Sequence, residues 1–318
     1  MRNLSCPSCL THSRIISYKL INSTLFFLLV YIFVAILIFV FNPFYFLRPL
    51  QIIVQQSENS NQISRNNLSE TDIPLSLLDC LKFENNSGNN YSVTTNGRMD
   101  NYFKGIGNCS QQATAFGLIL DSLGFNYEIV HVLPKKGLFQ GSGHSIIQVI
   151  TSSRNFLIDP LFKMMPGITK YSNDRLIDIY DLRSRTISDS NFHIFRVLQQ
   201  EVDTNYYRNS FAAAYATVNS ADMKEYFSQN DKIVKLFGLS ETKINKLIIN
   251  AIAALTFKLP NFEITKKEFQ ELLKYYPYFI ILKYYGLSFL ISIYCFIFLI
   301  AIKIITELRY FIINKFSI

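Results

Sequence analysis

The sequence predicts an α+β domain held between two membrane-spanning helices. Three observations point there: an uncharged apolar run near each end of the chain, a helical periodicity over residues 111–123 closed by a glycine, and three short β-branched and aromatic segments directly after that helix. Composition agrees with a membrane setting. Of 318 residues, 49% are hydrophobic and 17% charged, against about 25% charged in an ordinary soluble domain. The low Gly and Pro counts, 12 and 9, exclude a collagen-like, linker-like or wholly disordered chain, and 5 cysteines exclude a disulfide-dense miniprotein.

Taken in order, residues 1–23 form a short tail with Arg2, Arg14 and Lys19 and no acid. From Thr24 to Phe41 the chain reads TLFFLLVYIFVAILIFVF without a charge, and apolar residues continue to Leu47. As a helix, the uncharged part alone covers about 27 Å, close to the hydrocarbon thickness of a bilayer. Residues 24–47 are therefore expected to span. A cleaved signal peptide is the rival reading, but the run exceeds the usual length of such a core and no small-x-small site follows it. A second span is expected over 278–302, centred on YYGLSFLISIYCFIFLIAI, and the 303–318 tail sets Lys303, Arg309 and Lys315 against Glu307. By the positive-inside rule both tails are cytoplasmic and the middle of the chain is periplasmic or extracellular. The tails hold much of the net charge of +8. No basic groove and no nucleic-acid partner is expected, and the lipid bilayer is the expected partner instead.

Between the spans, residues 48–73 are rich in Ser and Asn and read as a polar tether. A core is expected over 74–170. Within it Ala113, Phe116, Leu120 and Leu123 recur at helical spacing and Gly124 stops the helix. Tyr127–Leu133, Ser145–Ile150 and Asn155–Ile158 then read as strands of an antiparallel sheet. Residues 171–277 read as a mostly helical extension, with helical periodicity over Ser240–Leu255 and a Thr265/Glu268 capping signature before FQELL.

Three residues of the core carry a chemical pattern. Cys109, in GNCSQQA, opens the helix, where the positive end of the helix dipole favours the nucleophilic thiolate. Its own backbone N–H would point toward a developing oxyanion. His144, in GSGHSIIQV, stands at the mouth of the second strand, and Asp159, in FLIDPLF, ends the third. If those strands are neighbours, His144 and Asp159 lie side by side at one end of the sheet and face the helix start, as a Cys-His-Asp triad requires.

With these residues the chain resembles the transglutaminase-like superfamily. The resemblance covers about residues 96–167 and rests on the cysteine opening an amphipathic helix, on Gly143-His144 before a strand, and on the Asp159-Pro160-Leu161-Phe162 corner. It implies a papain-like core, with Cys109 as nucleophile, His144 as general base and acid, and Asp159 orienting the imidazole. The implied activity is acyl transfer or amide hydrolysis on a protein or peptide of the cell envelope. The amino-acid bias toward Asn, Ile, Lys, Phe and Tyr suggests an AT-rich, bacterial genome. One departure is the run His144-Ser145-Ile146-Ile147-Gln148, where many family members place an aromatic residue and then a carboxylate. A second oxyanion donor is open among Asn101, Tyr102 and Asn108.

Two other readings stand beside this one: a Cys80–Cys109 disulfide, and a catalytically inactive scaffold or assembly protein of the envelope. The triad chemistry needs no cofactor. The resemblance leaves calcium open, but no acidic loop of the binding type is visible. Cys6, Cys9 and His12 form only half a zinc site. His131, in the apolar run EIVHVL, reads as a core histidine, His193 has no partner motif, and Cys295 lies within the second span. The sequons at Asn67, Asn85, Asn90 and Asn108 read as chance matches in an Asn- and Ser-rich chain.

Overall fold

The computed structural model describes residues 7–41, 51–55, 74, 92–104, 107–134, 143–152, 154–170, 173–184, 187–188, 191–197, 207, 212–240, 242–256 and 258–316. In chain order the elements are α1 (Pro7–Phe41), β1 (Ile52–Gln55), α2 (Thr95–Phe103), α3 (Cys109–Ser122), β2 (Asn126–Pro134), β3 (His144–Ile150), β4 (Asn155–Ile158), β5 (Met164–Lys170), β6 (Asn173–Leu176), α4 (Ile179–Ser184), β7 (Phe192–Val197), β8 (Ala212–Asn219), α5 (Ser220–Phe237), α6 (Lys243–Leu255), β9 (Phe262–Thr265), α7 (Lys266–Tyr275) and α8 (Phe279–Phe316). They divide into two units, Met1–Leu50 with Tyr278–Ile318, and Gln51–Pro277.

The 51–277 unit is a mixed α+β body. Its main sheet has the order β1-β9-β8-β2-β3-β4. The β1/β9 pair is parallel and the other pairs are antiparallel. A second, antiparallel sheet has the order β6-β5-β7. Both faces of the main sheet are covered. On one face Tyr127, Ile129, Ile147 and Val149 meet Phe116 and Leu120 of α3; on the other, Val130, Val132 and Ile146 meet Met164, Ile177, Leu182 and Tyr207. This explains why β3 is buried from His144 through Val149 instead of alternating. Each fully buried Phe or Leu here contributes roughly 1.5–3 kcal/mol.

Helix α3 packs on β2 and β3 and also against α2 and α5. It is consequently buried at every position from Gln111 to Leu120, more than an amphipathic stripe implies. Leu123, read as part of the apolar face, is half exposed at the C-cap, and Gly124 follows at φ +83° as the stop. The approach to the sheet is closest at Gly117, where a Cβ would fall 2.3 Å from Cε2 of the Tyr127 ring.

The 171–277 segment corrects the expectation of a helical extension. It contains β6, β7, β8 and β9 as well as α4 to α7, and β8 and β9 lie inside the main sheet. The alanine-rich start of β8 favours helix by intrinsic propensity. Pairing with β2 and β9 and full burial of Ala214 and Ala216 override it. The helices read at Ser240–Leu255 and after Thr265 are α6 and α7, and Thr265 Oγ1 accepts from Glu268 N at 3.2 Å as the N-cap. The polar tether is corrected at Ile52–Gln55, which pair in parallel with β9; residues 48–50 and 56–73 of the tether lie outside the described residues, as do 75–91 at the start of the expected core.

In the other unit, Lys19–Ile36 of α1 and Phe279–Arg309 of α8 are each long and apolar enough to cross a membrane. Residues 42–47, read as part of the first span, lie outside the described residues. Tyr31 Oη pairs with Ser288 Oγ at 2.7 Å and Lys303 Nζ donates to Asn22 Oδ1 at 3.3 Å. Because the earlier residue of α1 meets the later residue of α8, the helices are antiparallel. Phe26, Phe27, Ile297 and Phe298 point outward, more than half exposed.

Gly117→Ala is expected to destabilise the protein by about 1–3 kcal/mol, because the ring it meets is itself fixed in the core. Tyr127→Phe should be neutral or stabilising, since the Tyr127 hydroxyl is buried with no hydrogen-bond partner among the described residues. Thermal unfolding of the full chain in detergent checks both.

Candidate active site

The sheet register brings His144 and Asp159 together. Ile147 faces Ile158 across the β3/β4 pair, which sets Ile146 opposite Asp159; His144 is two residues earlier and so shares a face with both. His144 Nε2 lies 2.6 Å from Asp159 Oδ2. The imidazole is 2% exposed and the carboxylate 0%. Phe162 lies against the imidazole with ring centroids 5.2 Å apart.

Burying Asp159 requires that its lone pairs be met. Oδ1 accepts from the backbone N–H groups of Leu161 and Phe162, each at 3.1 Å. The Asp159 backbone pairs with Met164 in both directions, closing a turn whose last residue, Lys163, sits at φ +49°. Oδ2 receives a second donor besides His144, the hydroxyl of Tyr207 at 2.5 Å. Tyr207 is 1% exposed and stacks on Phe192 at 5.6 Å. Nothing in the sequence around Tyr207 marks it. It belongs to no motif, and only folding brings it to Asp159.

Cys109 reaches the same place from the helix side. Asn108 caps α3: its Oδ1 accepts from Gln111 N and its N–H donates to Gln111 Oε1, both at 3.0 Å. This reciprocal capping box is written in the sequence as Asn108-x-x-Gln111. Gly107 precedes it at φ +126°, where a Cβ would also strike Gln111 Oε1 at 2.6 Å. Cys109 is thereby the first helical residue, with an N–H that has no acceptor within the helix. Its Sγ donates to Gly143 O at 3.6 Å and lies within electrostatic reach of the His144 side chain and the Ser145 backbone N–H. With Nε2 committed to Asp159, Nδ1 is the imidazole nitrogen left for the thiol.

The charges follow from this packing. Burial pushes the Cys109 thiol up, but the hydrogen bond and positive charge of His144, joined by the Ser145 N–H, outweigh it and hold the thiol below its ordinary range. For His144, burial disfavours the charged ring, yet the Asp159 carboxylate and its hydrogen bond, with a further contribution from Cys109, raise it to about 10. Burial, and then the neighbouring Asp159 charge, keep Tyr207 neutral and able to donate. Both shifts favour the thiolate–imidazolium form of the pair over the neutral one. Such a pair can attack an electrophilic carbonyl and return a proton to the leaving group.

The remaining candidates divide as follows. Cys109 is a free thiol, which sets aside the disulfide reading; Cys80 lies outside the described residues. His131 Nδ1 pairs with Ser145 Oγ at 2.8 Å and its ring packs 5.0 Å from Phe262. Gln148, where the resemblance leads one to look for a carboxylate, is tied down: Nε2 donates to Glu128 and Oε1 accepts from Ile179 N at 2.8 Å. Among the possible oxyanion donors, Asn108 uses its carboxamide oxygen in the cap, Asn101 sits on α2, and the side chain of Tyr102 lies outside the described residues. Cys295 lies on an exposed face of α8, His193 lies on β7, and Cys6 is outside the described residues. Among the described residues no group of His, Cys, Asp and Glu side chains is placed to hold a metal ion. Comparison with known proteins finds no matching family model, curated protein or solved structure.

Tyr207→Phe is expected to cost about 1–3 kcal/mol, because it withdraws a donor from a buried carboxylate. Thermal unfolding of the full chain in detergent at pH 7 measures it; an unchanged midpoint would mean that the Tyr207–Asp159 contact contributes nothing.

Proposed function

We propose that this chain is a membrane-anchored thiol enzyme of the transglutaminase-like type, acting by acyl transfer or amide hydrolysis on a protein or peptide of the cell envelope. The observation that carries the proposal is the buried His144–Asp159 hydrogen bond at 2.6 Å with the Cys109 thiol, at a capped helix start, against the carbonyl of Gly143 next to that histidine. A helix N-terminus, two neighbouring strands and their residue order also support a papain-like identity for the core.

In this reading Cys109 Sγ attacks the substrate carbonyl carbon, forming an S–C bond, and His144 passes its proton to the departing amine as the C–N bond breaks. The Cys109 N–H stabilises the oxyanion. Water or an acceptor amine then attacks the thioester while His144 takes its proton, and the thiolate leaves. Asp159, positioned by Tyr207, holds the ring and its charge throughout. The antiparallel pairing of α1 and α8 supports both tails on one side of the membrane, and the basic tails favour the cytoplasmic side, which would leave the body on the outer side.

Intact-mass analysis of the full chain after exposure to an activated acyl ester tests the proposal. One acyl group is expected on wild type, none on Cys109→Ala and far less on His144→Ala. Loss of the adduct with time in amine-free buffer indicates hydrolysis by water, and faster loss with an added amine, which leaves as the amide, indicates transfer. Equal acylation of wild type and Cys109→Ala would remove the enzyme reading in favour of a scaffold.

A further inference from the structure

A second surface of the body lies outside the thiol site. Helices α5 and α6 are joined by the short loop 238–242, and their junction holds large apolar side chains in solvent: Leu236 (76% exposed), Phe237 (63%), Ile244 (71%) and Ile248 (44%). Ile244 and Ile248 are one turn apart and form a single ridge of α6. Gly238, in the left-handed conformation at φ 59°, ends α5 directly after Leu236 and Phe237, five residues before α6 begins. Beneath this tip is a small buried cluster of Val93, Ile233 and Ile249.

The same stretch is basic. In sequence Lys232, Lys235, Lys243 and Lys246 are set against Asp231 and Glu241, of which Glu241 and the Lys243 side chain lie outside the described residues. Asp231 is turned to α2, where both its oxygens accept from Thr95. An apolar tip with a lysine rim matches the boundary between acyl chains and anionic headgroups. Chain connectivity supplies that partner, because α7 leads through Tyr276 and Pro277 directly into α8, long and apolar enough to cross a bilayer.

We propose that the α5–α6 tip inserts into the interface of an anionic bilayer, with Leu236, Phe237, Ile244 and Ile248 among the acyl chains and Lys232, Lys235 and Lys246 on the headgroups. The role is separate from the thiol chemistry and stands if that chemistry fails.

The chain has no tryptophan, so Phe237→Trp places a single fluorophore at the tip. The full chain is reconstituted in vesicles of phosphatidylcholine and phosphatidylglycerol with or without brominated acyl chains, and Phe298→Trp on α8 reports the span. Both tryptophans are expected to be blue-shifted and quenched by bromine. Quenching at position 237, but not at 298, should weaken when phosphatidylglycerol is omitted or when Lys232, Lys235 and Lys246 become Glu; each lysine near an anionic surface is worth roughly fivefold in partitioning. An unshifted, unquenched Phe237→Trp beside a quenched Phe298→Trp overturns the proposal. A blue-shifted Phe237→Trp that bromine does not quench, and that reddens at one chain per vesicle, assigns the tip to a second copy and overturns it too. If neither tryptophan is quenched, the bilayer-crossing reading falls with it.

Discussion

The site depends on the burial of one carboxylate. A charge removed from water needs every lone pair met, and Asp159 meets four donors: two backbone N–H groups of its own turn, the Tyr207 hydroxyl and the His144 ring. The turn contacts fix Asp159 to the end of β4. Tyr207 ties it to the far face of the sheet. The remaining donor, His144, is thereby fixed by its Nε2, and the stacked Phe192 and neighbouring Phe162 close the apolar surround.

The second constraint acts from the helix. The Gly107–Asn108–Gln111 cap sets where α3 begins, and the Gly117–Tyr127 contact sets how near it lies to the sheet. Together they define the depth at which Cys109 meets His144. Because Gln111 is buried and used in the cap, and Gln148 is buried and used between β2 and α4, polar residues near the thiol that resemble substrate contacts are structural supports.

The legible parts of this protein are those whose signals are local. The α3 periodicity, the strands β2 to β4, and Cys109, His144 and Asp159 lie in one stretch where short-range pattern and tertiary role coincide. Tyr207, β1, β8 and β9 were not legible for the opposite reason. Ile52–Gln55 is polar at its C-terminal end and enters the sheet only through β9, more than 200 positions away in the chain. Ala212–Asn219 reads as helix until β2 supplies its partner. The Asn108/Gln111 capping box was not read from the sequence, because the pattern accepts so many residue pairs that only the helix behind it gives it meaning.

The central claim is that His144, held by Asp159, keeps Cys109 as a thiolate at neutral pH. Thiolate absorbs in the ultraviolet, so the difference in absorbance between wild type and Cys109→Ala, followed against pH, measures it directly. The account expects a signal already present at pH 7, lost only as acid protonates a thiol whose pKa has been lowered, with His144→Ala shifting the transition to about 8.5 or above. A wild-type transition at about 8.5, unchanged in His144→Ala, would contradict it.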